Sequence, residues 1–200
     1  SKALRSETMA EVPNDTFANR RESAIAGQPV VDPANWTATE MAATDDWCYQ
    51  LDHHEIDELH AAATPHDDEN LDLMTLGRDA FDLPQLASVL SDFRRELLYG
   101  RGFALLRGLP VDEFGKRATA IAFWAIGQYL GDDVLSQNKH GHVLGHVTDI
   151  GESRSNPSQR GPYSREEIPF HVDCADIVGL LCMEVSKNCL LYTSPSPRDQ

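Results

Sequence analysis

An α+β fold, with helices packed outside a β-sandwich, is predicted by three features of this 200-residue sequence. Apolar residues recur at helical spacing between residues 53 and 129, strand-like and loop-like stretches follow Gly131, and no segment repeats. With 41% hydrophobic residues the chain can build one core, since single domains run to ~100–150 residues.

The elements follow in order. Residues 1–33 mix charge, Ala, Pro and Asn without periodicity and read as an extended or disordered lead-in. Trp36, Met41 and Trp47 are spaced apolar anchors, and HHEIDELHAAA puts Ile56, Leu59 and Ala63 on one face of a short helix ending before Pro65. Asp67, Asp68 and Glu69 lie in an acidic, turn-like stretch that reads as a solvated loop rather than a metal cluster. The next helix has Asp82 as its cap, Pro84 in its first turn and Leu86, Val89, Leu90, Phe93 and Leu97 on its apolar face, with Gly100 and Gly102 stopping it. Residues 103–106 form a short buried strand. Asp112 then caps a helix reaching Tyr129, buried through Phe114, Ala118, Ile121, Ala122, Ala125 and Tyr129 and widened by Trp124 and Ile126. Residues 177–185 carry apolar side chains on both faces, Ile177, Leu181, Met183 and Val185 on one and Val178, Leu180 and Cys182 on the other. That pattern predicts an interior strand, which without further strands leaves an unpaired edge and exposed apolar surface.

The balance of 17 basic against 32 acidic residues gives a formal charge of -15, which repels phosphate backbones and anionic membrane surfaces. Nucleic acid and membrane are thus excluded as expected partners, and no run approaches the ~18 apolar residues of a membrane span. The start lacks the apolar block of a secretory signal, so the default compartment is cytoplasmic. Cys48, Cys174, Cys182 and Cys189 show neither a CxxC pair nor regular spacing and read as reduced, buried thiols.

Chemistry is concentrated in His171-Val172-Asp173, which follows Ile168-Pro169-Phe170 and precedes the apolar run. In extended backbone, residues i and i+2 project from the same face about 6.5–7 Å apart, so an imidazole and a carboxylate converge on one ion while Val172 points away. One His and one carboxylate make two-thirds of the facial triad that holds non-haem Fe(II) with positions open for substrate and oxygen. The same pair could equally be a hydrogen-bonded His/Asp couple.

The stretch GRGFALLRGLP, the helix ending GQYLGD and the segment IPFHVDCADIVGLLCMEV, in that order, resemble the TauD/TfdA family of Fe(II)/2-oxoglutarate dioxygenases, particularly its clavaminate synthase-like branch. Residues 34–187 take part, as the N-terminal part of such a domain. The resemblance implies a jelly-roll, double-stranded β-helix core, incomplete here, with flanking N-terminal helices. It places His171 and Asp173 on the family's first His and carboxylate metal ligands. It further implies Fe(II), 2-oxoglutarate as cosubstrate and O2, a small-molecule prime substrate, and decarboxylation of the cosubstrate to succinate and carbon dioxide as the substrate is oxidised.

In the family a distal His and a basic anchor for 2-oxoglutarate complete the site, yet no His follows His171. Residues 188–200, NCLLYTSPSPRDQ, have neither strand nor helix periodicity and read as a non-native tail. The expectation is therefore an in-frame continuation beyond Lys187 that supplies both residues, and no turnover by the chain as given. Two other readings stand beside this one. HGHVLGH, with His140, His142 and His146, could join His171 in a zinc hydrolase, and a metal-independent binding or structural protein could keep His171 and Asp173 as a hydrogen-bonded pair on a degraded oxygenase fold. Cys174 and Asp176 read as packing or loop residues, and Gln137 and Asn138 as polar residues that could face the cosubstrate.

Overall fold

The computed structural model describes residues 25–131, 144–148 and 175–184. Its regular elements are helix α1 (Ala38–Ala42), strand β1 (Cys48–Gln50), helix α2 (His53–Ala63), helix α3 (Leu86–Tyr99), strand β2 (Leu105–Arg107) and helix α4 (Val111–Leu130), with single 3₁₀ turns between α2 and α3. Helices and a small parallel sheet are thus what the described residues contain.

Helix α2 starts where Asp52 accepts the Glu55 N–H at 3.0 Å and Glu55 in turn accepts the Asp52 N–H at 2.9 Å, a reciprocal capping box. Its inward face buries Leu59, Ala62 and Ala63, whereas Ile56 is only half-buried. Helix α3 departs from the sequence reading at its start. Asp82 does not cap it, and Pro84 lies before its first turn. The cap comes instead from α2, where Glu58 Oε1 accepts the Gln85 N–H and Glu58 Oε2 the Leu86 N–H, both at 2.9 Å. A carboxylate at a helix N-terminus satisfies orphan donors and complements the helix dipole. Leu86, Leu90 and Leu98 are its buried residues, with Val89, Phe93 and Leu97 half-buried around them.

Strand β2 begins two residues later than the apolar pattern suggests and is not buried, since Leu105 and Arg107 face solvent. It pairs in parallel with β1, with Cys48, Tyr49 and Gln50 opposite Leu105, Leu106 and Arg107. A parallel pair needs a long crossover, and the connection here carries α2 and α3.

Asp112 likewise does not cap α4; Pro110 holds that position without a side-chain bond. Gly115 sits at φ 73°, ψ 170° and sets the first turn off from the rest of α4. A left-handed φ costs any residue with a Cβ, which is why glycine stands there. Beyond it, Ala118, Ile121, Ala122, Trp124, Ala125 and Ile126 are buried, in line with the apolar stripe in the sequence, and Gly131 ends the helix as read. Helix α4 packs against both α2 and α3, and the core lies between them, with Leu59, Leu83, Leu86, Leu90 and Ile121 completely removed from solvent.

The connection from α2 to α3 is held down by side-chain donors to its main chain. Arg117 donates to the carbonyls of Asp68 (2.7 Å) and Leu71 (3.0 Å), Trp124 Nε1 to that of Leu76 (2.9 Å), and Tyr129 Oη to that of Phe81 (2.8 Å). All three donors belong to α4. Irregular backbone cannot satisfy its own carbonyls, so these bonds replace a ladder.

Candidate functional site

Helix α4 also supports the stretch that follows the HxD motif. Ala175 and Asp176 form a bend and residues 177–184 run on without ladder pairing among the described residues. Ile177, Leu181 and Met183 are half-buried, while Val178, Leu180 and Cys182 are exposed, Leu180 at 86%. The interior strand expected over 177–185 is therefore corrected within the described residues: one face leans inward and the other is open. At Gly179, itself exposed, a Cβ would stand 3.2 Å from Cζ and 3.5 Å from Cε2 of Phe123 in α4.

His171, Asp173, Cys174, His140, His142, Gln137 and Asn138 lie outside the described residues. His146 is described and exposed. Asp67, Asp68 and Glu69 are exposed, and Asp68 Oδ1 accepts the Asn70 N–H at 2.9 Å in a local turn, in keeping with a solvated loop. No group of three or more His, Cys, Asp or Glu among the described residues could hold a metal. Of the thiols, Cys48 is half-buried, but Cys182 is exposed, contrary to its reading as a packed hydrophobe. As a donor set, His171 and Asp173 offer one imidazole nitrogen and one carboxylate oxygen, which fits ferrous ion.

Two charged clusters outside the motif escaped the sequence reading. Arg101 binds Glu96 Oε1 through Nε and Asp46 Oδ1 through a terminal nitrogen, both at 2.6 Å, and its carbonyl accepts the Trp36 indole N–H at 2.9 Å. The Arg101 guanidinium bond, aided by Thr44, holds the Asp46 carboxyl below its ordinary range, and the Arg101 N–H and guanidinium do the same for Glu96. Trp36 and Trp47 both contact the Phe103 ring, at centroid distances of 5.0 and 5.9 Å, so this clasp ties the N-terminal described segment to the end of α3. In the second cluster Tyr49 Oη donates to the buried Glu55 carboxylate at 2.6 Å, and burial followed by that bond pushes the phenol up to about 12. No short-range pattern marks either cluster. Gly179 did carry a signal, because an isolated glycine inside an apolar strand pattern marks a close backbone approach.

The chain belongs to the TauD/TfdA family: the family model described as taurine catabolism dioxygenase TauD, TfdA family, matches residues 63–188, from the end of α2 through His171 and Asp173. Among individual proteins it is similar to FR-33289 synthase of Streptomyces rubellomurinus, 29% identical over 165 residues, which are 82% of this chain and 48% of that protein. It is also similar to the taurine hydroxylase-like protein SAT17 of Stachybotrys chartarum, 25% identical over 183 residues, 88% of this chain and 48% of that protein. The chain thus spans about half the length of the curated relatives it matches. No helix among the described residues is long and apolar enough to cross a membrane.

Proposed function

We propose that His171 and Asp173 are two of the metal ligands of an Fe(II)- and 2-oxoglutarate-dependent oxygenase that oxidises a small molecule in a hydroxylation-type reaction. The observation that carries this reading is the family match across both residues, combined with their His-x-Asp spacing. His171 would bind through a neutral imidazole nitrogen and Asp173 through a carboxylate oxygen, leaving positions for 2-oxoglutarate and O2. When bound, the iron supplies the redox chemistry that couples decarboxylation of 2-oxoglutarate to oxidation of the substrate. The protein's share is placement and exclusion of water. In this reading the double-stranded β-helix is the scaffold of the ligands, and α2, α3 and α4 form the helical layer outside it. Neither a zinc hydrolase nor a metal-independent protein finds support in the relatives.

The test follows succinate formation by the full-length protein with Fe(II), ascorbate and 2-oxoglutarate, beside its His171→Ala and Asp173→Ala variants. Ferrous-dependent succinate that vanishes in both variants is the expected outcome. An undiminished rate in either one refutes the assignment.

A further inference from the structure

We infer that residues 30–46 form a strap that opens and closes as a unit over the tip of α3, with Arg101 as its latch. The strap involves neither residue of the HxD motif, so its test is independent of the metal reading.

The strap is ordered without being buried. Between residues 30 and 46 only Asp32 and Met41 are half-buried; every other residue is exposed, and α1 itself buries none. Its shape is held by short-range bonds of its own. The Asn35 N–H donates to the Asp32 carbonyl at 2.9 Å, Thr37 and Glu40 close a reciprocal box around the start of α1, and the Trp47 indole donates to the carbonyls of Met41 (3.2 Å) and Thr44 (2.9 Å). A segment that keeps its own bonds and hides little apolar surface is the kind that detaches without unfolding the core. It ends at Trp47, whose carbonyl accepts the Leu105 N–H at 2.8 Å and so belongs with the sheet.

The fastenings of the strap converge on the tip of α3. Asp46 meets the Arg101 guanidinium at 2.6 Å, the Trp36 indole donates to the Arg101 carbonyl at 2.9 Å, and the Trp36 ring stands edge-on to Phe103. Arg101 is in turn set by α3, where Glu96 Oε1 accepts its N–H at 2.9 Å and its Nε–H at 2.6 Å. Gly100 makes that reach possible, because a Cβ there would stand 2.5 Å from the Glu96 carboxyl carbon and push the carboxylate away. The Arg101 side chain is 17% exposed and that of Asp46 64%, so the latch is a surface ion pair, strong enough to bias the strap and weak enough to release it. Release uncovers one side of the Phe103 ring and opens the cleft of about 310 Å³ that Pro33, Met41 and Thr44 of the strap form with Glu96, Gly100 and Arg101.

The experiment follows cleavage after Glu40 by a glutamate-specific protease in the full-length protein, read by mass spectrometry, with thermal midpoints beside it. A protease takes up extended chain, and Glu40 lies inside α1 with its carboxylate bound to Thr37, so the cut requires the strap to leave. Asp46→Ala and Arg101→Leu should each speed it about fivefold, the effect of a surface ion pair at its stronger limit, with little change in midpoint. Gly100→Ala should act in the same direction by displacing Glu96. Sodium chloride at about 1 M shortens the screening length to about 3 Å, and should speed the cut in the wild type but not in Arg101→Leu, each rate being taken relative to a free peptide. Gly115→Ala, which weakens the whole fold from α4, should leave the cut unchanged. Rates unaltered by both Asp46→Ala and Arg101→Leu overturn the inference. So does an equal acceleration in Gly115→Ala, because Glu40 would then be reached only by global unfolding.

Discussion

Glu58 is the test of how this fold is held together, because one half-buried carboxylate on α2 accepts two N–H groups at the start of α3. Glu58→Ala removes both acceptors at once. The two donors it abandons are not equivalent. Gln85 is exposed and its N–H can turn to water, but Leu86 is fully buried, so its N–H is left without a partner at a cost of about 1–3 kcal/mol. Loss of a carboxylate at the positive end of the helix dipole adds about 0.3–1 kcal/mol. The sum centres on about 2.6 kcal/mol, which for a chain of this size lowers the thermal midpoint by about 5–10 °C. Urea unfolding followed by circular dichroism measures it, with the exposed Asp82→Ala as control. Asp82 is the residue that local sequence rules nominate as the cap, and its loss should stay within about 0.5 kcal/mol. A smaller effect from Glu58→Ala than from Asp82→Ala would refute the tertiary cap.

Tyr49→Phe should cost about 1–2 kcal/mol at neutral pH, because Glu55 keeps a buried oxygen without its donor. The wild type, whose phenol is raised to about 12, should lose stability as pH climbs from about 10 through that value, since below the unfolded pKa the neutral phenol's contribution is fully present. Alkaline unfolding curves of the two proteins check the sign: the slope between about 10 and 12 should be shallower in Tyr49→Phe. At the other end of the scale, Asp46 and Glu96 have lowered folded values, so the clasp's contribution is present above their ordinary range near 4 and is lost as pH falls through the folded values. Arg101→Leu should flatten that acid limb in pH-dependent denaturation. Gly115→Ala should destabilise by about 1 kcal/mol through its backbone angle alone, because nothing lies within 4 Å of a Cβ there; equilibrium unfolding reads it directly.

Local patterns were legible where the information is local. The apolar stripe of α4 and its stop at Gly131 follow from a 3.6-residue period, and α2 from HHEIDELHAAA closed by Pro65. Caps and strand limits were misread for a common reason. Asp82 and Asp112 satisfy the composition of a cap, but Glu58 reaches α3 from 27 residues away and leaves Asp82 nothing to do. Short β2 was misjudged in both start and burial, because an edge position in a two-stranded sheet depends on its partner β1, three residues of CYQ with no strand signature. Helix α1, five residues long and closed by its own Thr37 and Glu40 box, was too short for any periodicity.

The same distinction bears on the candidate site. His-x-Asp is a two-residue spacing, so a pair of metal donors can be nominated from the chain directly, and in His171 and Asp173 that pair lies within the residues that match the TauD/TfdA family. What packs against the segment after the motif is not local. Phe123 lies 56 positions before Gly179, in a helix whose sequence reads only as well-buried, and nothing in its period singles out one ring as the partner of one glycine. The two glycines make the contrast plain. At Gly115 the backbone angle demands glycine and the space around it is open; at Gly179 the angle is ordinary and a ring atom stands 3.2 Å from where a Cβ would be. Alanine should therefore cost stability at the first position through its backbone angle alone, whereas at the second the cost should grow with side-chain volume, which equilibrium unfolding of the alanine and valine variants at both positions reads directly.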